Sequence, residues 1–216
     1  MLTFVYYEHK VFTMKTIAFA LFFISIFFSP LLHAQQNAFS DSAQALNKAR
    51  IRTNQHGMKV LGTWGIVNLA AGGIGYFTAK DEEWKAFHEM NAIWGVVNTG
   101  IAVMGYAGSR KELQEKLSCS KLLQRYEGTK RLYLINEGLD VLYMGTGALL
   151  WLHGDNTSHS PAMWRGFGKS LVLQGAFLFV FDNVMFASHQ KRNSNWYKLL
   201  QGVCVTNNGL GLNYTF

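Results

Sequence analysis

Apolar runs of about twenty residues, broken at helical spacing by glycines and a side-chain amide, most narrow the folds open to this chain. One such run is duplicated. Trp64-Gly65-Ile66-Val67-Asn68 returns thirty residues later as Trp94-Gly95-Val96-Val97-Asn98, and Gly75-Tyr76 matches Gly105-Tyr106 further along. Gly65, Asn68, Gly72 and Gly75 fall at spacings of three and four and share one helix face; His88, Asn91, Gly95, Asn98, Ala102 and Gly105 do the same in the second copy. Such a seam suits helices in lipid. Apolar side chains gain little there by leaving the acyl chains, so close backbone approach and interhelical hydrogen bonds drive association. The polar stretch Lys80-Asp81-Glu82-Glu83-Trp84-Lys85 separates the copies. An antiparallel hairpin folded there brings Asn68 and Asn98 to one depth and predicts a direct contact between them, worth about 0.5–2 kcal/mol. Two copies are too few for a solenoid. A helix duplicated in opposite orientation matches the inverted repeats of transporters in miniature, although a hairpin fastened by amides is the commoner case.

Spans are expected at 57–78, 88–107, 132–152 and 166–187. The expected fold class is all-α: an integral membrane bundle of four transmembrane helices arranged as two antiparallel hairpins within 57–190. A polar juxtamembrane helix is expected over 35–56, capped at Ser40-Asp41. Ser109-Arg110-Lys111-Glu112 reads as a capping box opening an amphipathic surface helix over 110–127, lying on the membrane or covering the bundle end in water. His153–Pro161 reads as a loop. The tail 191–216 ends in two alternating segments, Val203–Thr206 and Leu210–Phe216, a small β-hairpin about Asn207-Asn208-Gly209. Tyr76, Trp84, Trp151 and Trp164 are expected at one membrane interface, and Tyr106, Tyr133 and Trp196 at the other.

Upstream, Met14-Lys15, the apolar stretch Thr16–Phe28 and Ser29–Gln36 have the three parts of a secretory signal, making 1–34 an upstream extension and a cleavable signal peptide, with translation expected to start at Met14 and cleavage after Ala34. Its rival is an uncleaved anchor. Fourteen Lys and Arg fall on the face carrying 35–59, 108–131 and 191–198, against Lys80, Lys85, Arg165 and Lys169 on the opposite face. Positive-inside bias places the richer face in the cytoplasm, whereas a cleaved signal places it outside; with four spans only one can hold. The two cysteines, Cys119 and Cys204, both fall on that face, so they can pair if it is extracytoplasmic and stay reduced if it is not. Their spacing fits no zinc site.

The formal charge of +7 raises nucleic acid as a partner. The bases flank apolar runs rather than forming a nucleic-acid motif, so the expected partner is the bilayer with anionic headgroups, with a protein partner or a second copy left open. Mean hydropathy of +0.05 is low for a multi-pass protein, as polar flanks would make it.

Ionisable and amide groups inside spans are costly and mark candidate sites. Here they are Asn68, Asn98, Glu137, Asp140, Gln174 and Asp182, with Gly65, Gly72, Gly75, Gly95 and Gly105 as the packing seam. One reading makes them structural glue in a non-enzymatic structural or interaction protein. The alternative is a small transporter or proton- or cation-coupled carrier working through the carboxylates; four helices leave little room for a water-filled path, which favours glue. Haem ligation by His88 with His153 or His189 would need matching depth on facing helices, and the latter two read as interfacial, so no cofactor is expected. No phosphate loop, nucleophile elbow or zinc run occurs, no catalytic residue is assigned, and an enzyme ranks third.

Phe87–Asn98, Gly138–Met144, Arg165–Gly168 and Gln174–Asp182 together resemble a membrane-protein family of unknown function, the domain-of-unknown-function family numbered 6992, found mainly in Bacteroidetes-type bacteria. The resemblance covers about residues 50–190. It implies a four-helix integral membrane protein, for which a bacterial inner (cytoplasmic) membrane is the expected location, and carries over no activity.

Overall fold

A computed structural model describes the backbone of residues 2–156, 160–200, 204–206 and 209–211, and the side chains of 40–118, 120–155 and 160–197. Its elements are α1 (Leu2–Thr78), α2 (Glu82–Glu112), α3 (Cys119–His153), a 3-10 turn at Gly154–Asn156, α4 (Pro161–Gln190), α5 (Asn193–Leu200) and the strands β1 (Cys204–Thr206) and β2 (Gly209–Gly211). The chain divides into two compact units, residues 44–198 and residues 1–43 with 199–216. In the second, β1 pairs antiparallel with β2, Val205 opposite Leu210. The side chains around the Ala34 cleavage site, the Asn207-Asn208 turn and the side chains of Cys119 and Cys204 lie outside the described residues.

The larger unit is all-helical, and each expected span falls within one helix. Asp81 opens α2 by accepting from the backbone N–H of Glu83 (2.9 Å) and Trp84 (3.2 Å). Glu82 and Glu83 in the first turn and Arg110 and Lys111 in the last complement the helix dipole. That basic last turn corrects the surface helix expected over 110–127. Ser109 lies buried inside α2, residues 113–118 connect, and Ser118, extended at φ −66° and ψ 156°, precedes α3. Leu122 and Tyr126, assigned to a surface helix, are buried in the bundle. Nor does a helix start at Ser40-Asp41: no proline or glycine interrupts 35–56, and α1 passes straight through.

The α1–α2 hairpin closes on glycine. A methyl on Gly65 would come within 2.7 Å of the Thr99 nitrogen, one on Gly72 within 2.6 Å of the Ala92 nitrogen, and one on Gly95 within 2.5 Å of the Leu69 nitrogen. Gly75 lies against the His88 ring and Gly105 against the flexible Met58 side chain. On the other hairpin, Gly147 and Gly168 bring α3 and α4 together, and Gly166 seats α4 on the first turn of α2. Through Gly166, Gly175, Gln174 and their neighbours, α4 touches all three other long helices.

The larger unit buries polar groups beside a small apolar core of Leu61, Ala102, Tyr133, Phe181 and Met185. In the expected spans Asn68, Asn91, Asn98, Asp140, Ser170, Gln174 and Asp182 are buried. Large apolar side chains face outward over 60–84, 93–104, 132–152 and 173–184, with Phe77 as much as 86% exposed; among the described residues only Leu113 and Tyr197 add to this set elsewhere. Trp84 and Trp151 are exposed at one end. Tyr133 and Trp196, expected in an interfacial belt, are instead buried at 4% and 2% exposure. The helices run past the apolar zone there and bury their own aromatic layer, Tyr126 packing on Trp196 at 5.1 Å. By length and hydropathy, Ser40–Thr78 and Pro161–Tyr197 are long and apolar enough to cross a membrane. The amides of α2 and the carboxyls of α3 lower the hydropathy of those helices.

Candidate functional site

Gln174 is the centre of the polar interior. Its Oε1 accepts from Trp64 Nε1 at 2.9 Å and from Asn98 Nδ2 at 3.4 Å. Its Nε2 donates to Asn68 Oδ1 and Asn91 Oδ1, each at 2.7 Å. Both donors and both acceptor sites of the amide are thus used. Ser170 Oγ donates to Asn91 Oδ1 at 3.0 Å. Asn68 and Asn91 return their own N–H groups to the Trp64 and Phe87 carbonyls one turn back. The ring of Trp64 stacks on Phe177 at 4.0 Å.

This corrects the direct Asn68–Asn98 contact. The two amides do share a level, since both reach Gln174, but no bond joins them among the described residues. The reason lies in the seam: the turns at 65–69 and 95–99 meet backbone to backbone at Gly65 and Gly95. The amides therefore turn to the third helix, where one residue offers both a donor and an acceptor. Asn91, Ser170 and Trp64 also belong to the hub. Asn91 sits on the small-residue seam one turn before Gly95, and Ser170 one turn before Gln174, so spacing could have found both.

A second cluster lies between α3 and α4. Asp140 of α3 and Asp182 of α4, both buried, face each other, with Asn136 beside Asp182. Glu137 stands beside both. Asp140 Oδ2 and Glu137 Oε1 are buried without a donor. Two carboxylates can only accept, so a bond between them requires a proton on one. Among the described residues no group of three or more His, Cys, Asp or Glu is placed to hold a metal ion.

Both clusters fall inside the stretch, residues 60–183, that matches the model of a family described as of unknown function, DUF6992. The match takes in more than half of the 216 residues. The chain belongs to the DUF6992 family. No curated protein and no solved structure matches it. The DUF6992 stretch holds Trp64, Asn68, Asn91, Asn98, Ser170 and Gln174, together with Glu137, Asp140 and Asp182.

At the base-rich end, joining residues on both sides of the boundary of the DUF6992 stretch, lies a third network. The Arg50 guanidinium bonds Asn47, Thr129 (2.8 Å) and Glu112. Burial lowers its pKa, and the Glu112 carboxylate pulls it back. Burial pushes the Tyr126 phenol up to about 12; its hydroxyl donates within reach of the His189 carbonyl at 2.9 Å and Asn193 Oδ1 at 2.5 Å. His189, read from sequence as interfacial, is fully buried: α4 carries it inward beneath Tyr133, whose ring stacks on it at 5.7 Å. Its Nε2 meets Asn54 Oδ1 at 2.9 Å, the same atom that accepts from Tyr133 at 3.2 Å, while its Nδ1 has no partner. Burial, then the cations Arg192, Arg50 and Lys130, push its pKa down to about 4. At the opposite end, within the DUF6992 stretch, Glu83 bonds Arg165 at 2.7 Å and Lys169 at 2.5 Å. The ammonium of Lys169 lies 4.9 Å from the Trp84 ring and 5.5 Å from that of Trp151. His88 packs on Gly75 near that end, far along the bundle from His189.

Proposed function

We propose that the chain is a multi-pass protein of a bacterial inner membrane, a bundle of four spans with a non-enzymatic structural or interaction role. The supporting observation is where polarity lies: amides and carboxyls are buried, while many Ile, Val and Leu side chains face outward along all four expected spans. A water-soluble bundle of this size would bury that apolar surface, whereas lipid accepts it and rewards the internal hydrogen bonds. The exposed bases Lys48, Arg52, Lys116, Lys121 and Lys191 sit beyond the expected spans or at their edges and suit anionic headgroups. The test is extraction of membranes with alkaline carbonate, followed by flotation of the purified chain with vesicles. Retention and co-flotation are expected; a chain that is released and stays monodisperse in detergent-free buffer would overturn the reading.

The second reading is a proton- or cation-coupled carrier, and the donor-less oxygens of Asp140 and Glu137 favour it. Against it stands Gln174, whose saturated amide closes the middle of the bundle. A proton-linked flux in reconstituted vesicles that Asp140→Asn abolishes would decide for the carrier.

A further inference from the structure

Three buried acceptors without donors lie along the α3–α4 interface on the base-rich side of Gln174: Asp140 Oδ2, Glu137 Oε1 and His189 Nδ1. Asp140 is 2% exposed and His189 fully buried. Tyr133, Glu137 and Asp140 follow one another at four and three residues on α3, and Asp182 and His189 stand seven apart on α4, so the groups form a column. Tyr133 closes its outer end by stacking on His189. The inner end stops at the amide hub, which holds no ionisable side chain.

We propose that Asp140 and Asp182 bind one proton between them and exchange it through the base-rich end alone. The ligand is a proton: Asp140 and Asp182 are both buried, Asp140 Oδ2 has no donor, a buried carboxylate so placed is costly unless protonated, and among the described residues no cluster fits a metal. Release leaves two facing carboxylates and delivers one proton past Glu137 toward the Tyr133–His189 layer; uptake is the reverse. The groups facing the pair are Glu137, Asn136 and Tyr133 from α3 and His189 further along α4. α1 and α2 carry no ionisable side chain over 60–75 and 90–105, and Lys59 of α1 turns outward over Tyr106 of α2. The path therefore has one mouth. One-sided access rests on the membrane reading above; the shared proton does not.

Infrared difference spectroscopy on the full chain in mild detergent reads the shared proton as a protonated-carboxyl C=O band at neutral pH. The band is expected in the native chain, with a downshift in D2O, and is expected to be lost in Asp140→Asn and in Asp182→Asn but kept in Glu137→Gln. Absence of the band in the native chain, which needs no variant to fold, would overturn the proposal, as would its persistence in both aspartate variants. In oriented vesicles, raising the pH on the base-rich side should remove the band, and raising it on the other side should not. A response from the Trp84 side, or from neither, would overturn one-sided access. Failure to enter vesicles at all would overturn the membrane reading and leave the detergent spectrum to decide the shared proton.

Discussion

The α1–α2 hairpin meets α4 through amides, while α3 meets the same helix through carboxyls. Glycines bring backbones together beside each, Gly65, Gly72 and Gly95 within the hairpin and Gly147, Gly168 and Gly175 between α3 and α4. The two interfaces differ in what those close approaches leave for the polar groups. At the first, Gln174 gives and takes two hydrogen bonds and has none to spare. At the second, carboxyl oxygens remain without donors. An amide carries its own donor and acceptor, so a set of amides can saturate itself. A set of carboxyls cannot do so without protons from elsewhere. One interface is thus suited to holding helices, the other to holding something that comes and goes.

The largest effect expected on this contrast is from Gln174→Leu. It strips partners from Trp64 Nε1, Asn98 Nδ2, Asn68 Oδ1 and Asn91 Oδ1 at once. The loss should be about 2–4 kcal/mol, read as denaturant unfolding in mild detergent. A loss under about 0.5 kcal/mol would mean that the amides are replaceable and that glycine contacts alone fasten the hairpin.

Next come neighbours on one helix. Gly72→Ala places a methyl within 2.6 Å of the Ala92 backbone and should cost about 1–3 kcal/mol, whereas a methyl on Gly73 meets nothing within 4 Å. Gly73→Ala should therefore be neutral or stabilising by up to about 1 kcal/mol in the same assay. Equal effects at the two positions would break the claim that this seam packs backbone on backbone.

Much of this arrangement is legible in the chain because helical spacing is rigid. Gly65 and Gly72 can be placed on one face of α1, and Gly95 on the seam of α2, by counting threes and fours, and Asn68, Asn98 and Gln174 at one level by the rise of a helix. Counting within a helix does not say which helix an amide turns toward. The Asn68–Asn98 contact went astray for that reason: the third partner lies more than seventy residues away. The end of α2 was misplaced because Ser109-Arg110-Lys111-Glu112 has the letters of a capping box, while its bases also suit a helix end. His189 and Trp196 look interfacial by position in the chain. Only the continuation of the helices beyond the apolar zone buries them. Nothing in the match to residues 60–183 adds an activity to what the geometry says.

A smaller effect is expected from Asp140→Asn. The new amide can donate to the Asp182 carboxyl in place of the shared proton, so stability should change by less than about 1 kcal/mol even though the residue is buried. A cost matching that of Gln174→Leu would erase the contrast, since the carboxyls would then be fasteners too.

The smallest expected effect lies at the Trp84 end, where Glu83 joins α2 to α4 outside the expected spans. Its hydrogen bond from Lys169, ahead of that from Arg165, holds its carboxyl below the usual range. A carboxyl with a depressed folded pKa binds fewer protons folded than unfolded around pH 4. Its contribution is therefore complete above the unfolded value of about 4.3 and disappears as pH falls through the folded one. Arg165 is 30% exposed, so solvent and salt weaken the pair and the effect should shrink with ionic strength. Glu83→Gln should match the native chain below about pH 3, fall slightly behind it above about pH 5, and close the gap in high salt. Stability curves that run parallel across the whole pH range would mean that Glu83 acts through packing. The ends of the bundle would then be held, like its centre, by groups whose charge is irrelevant.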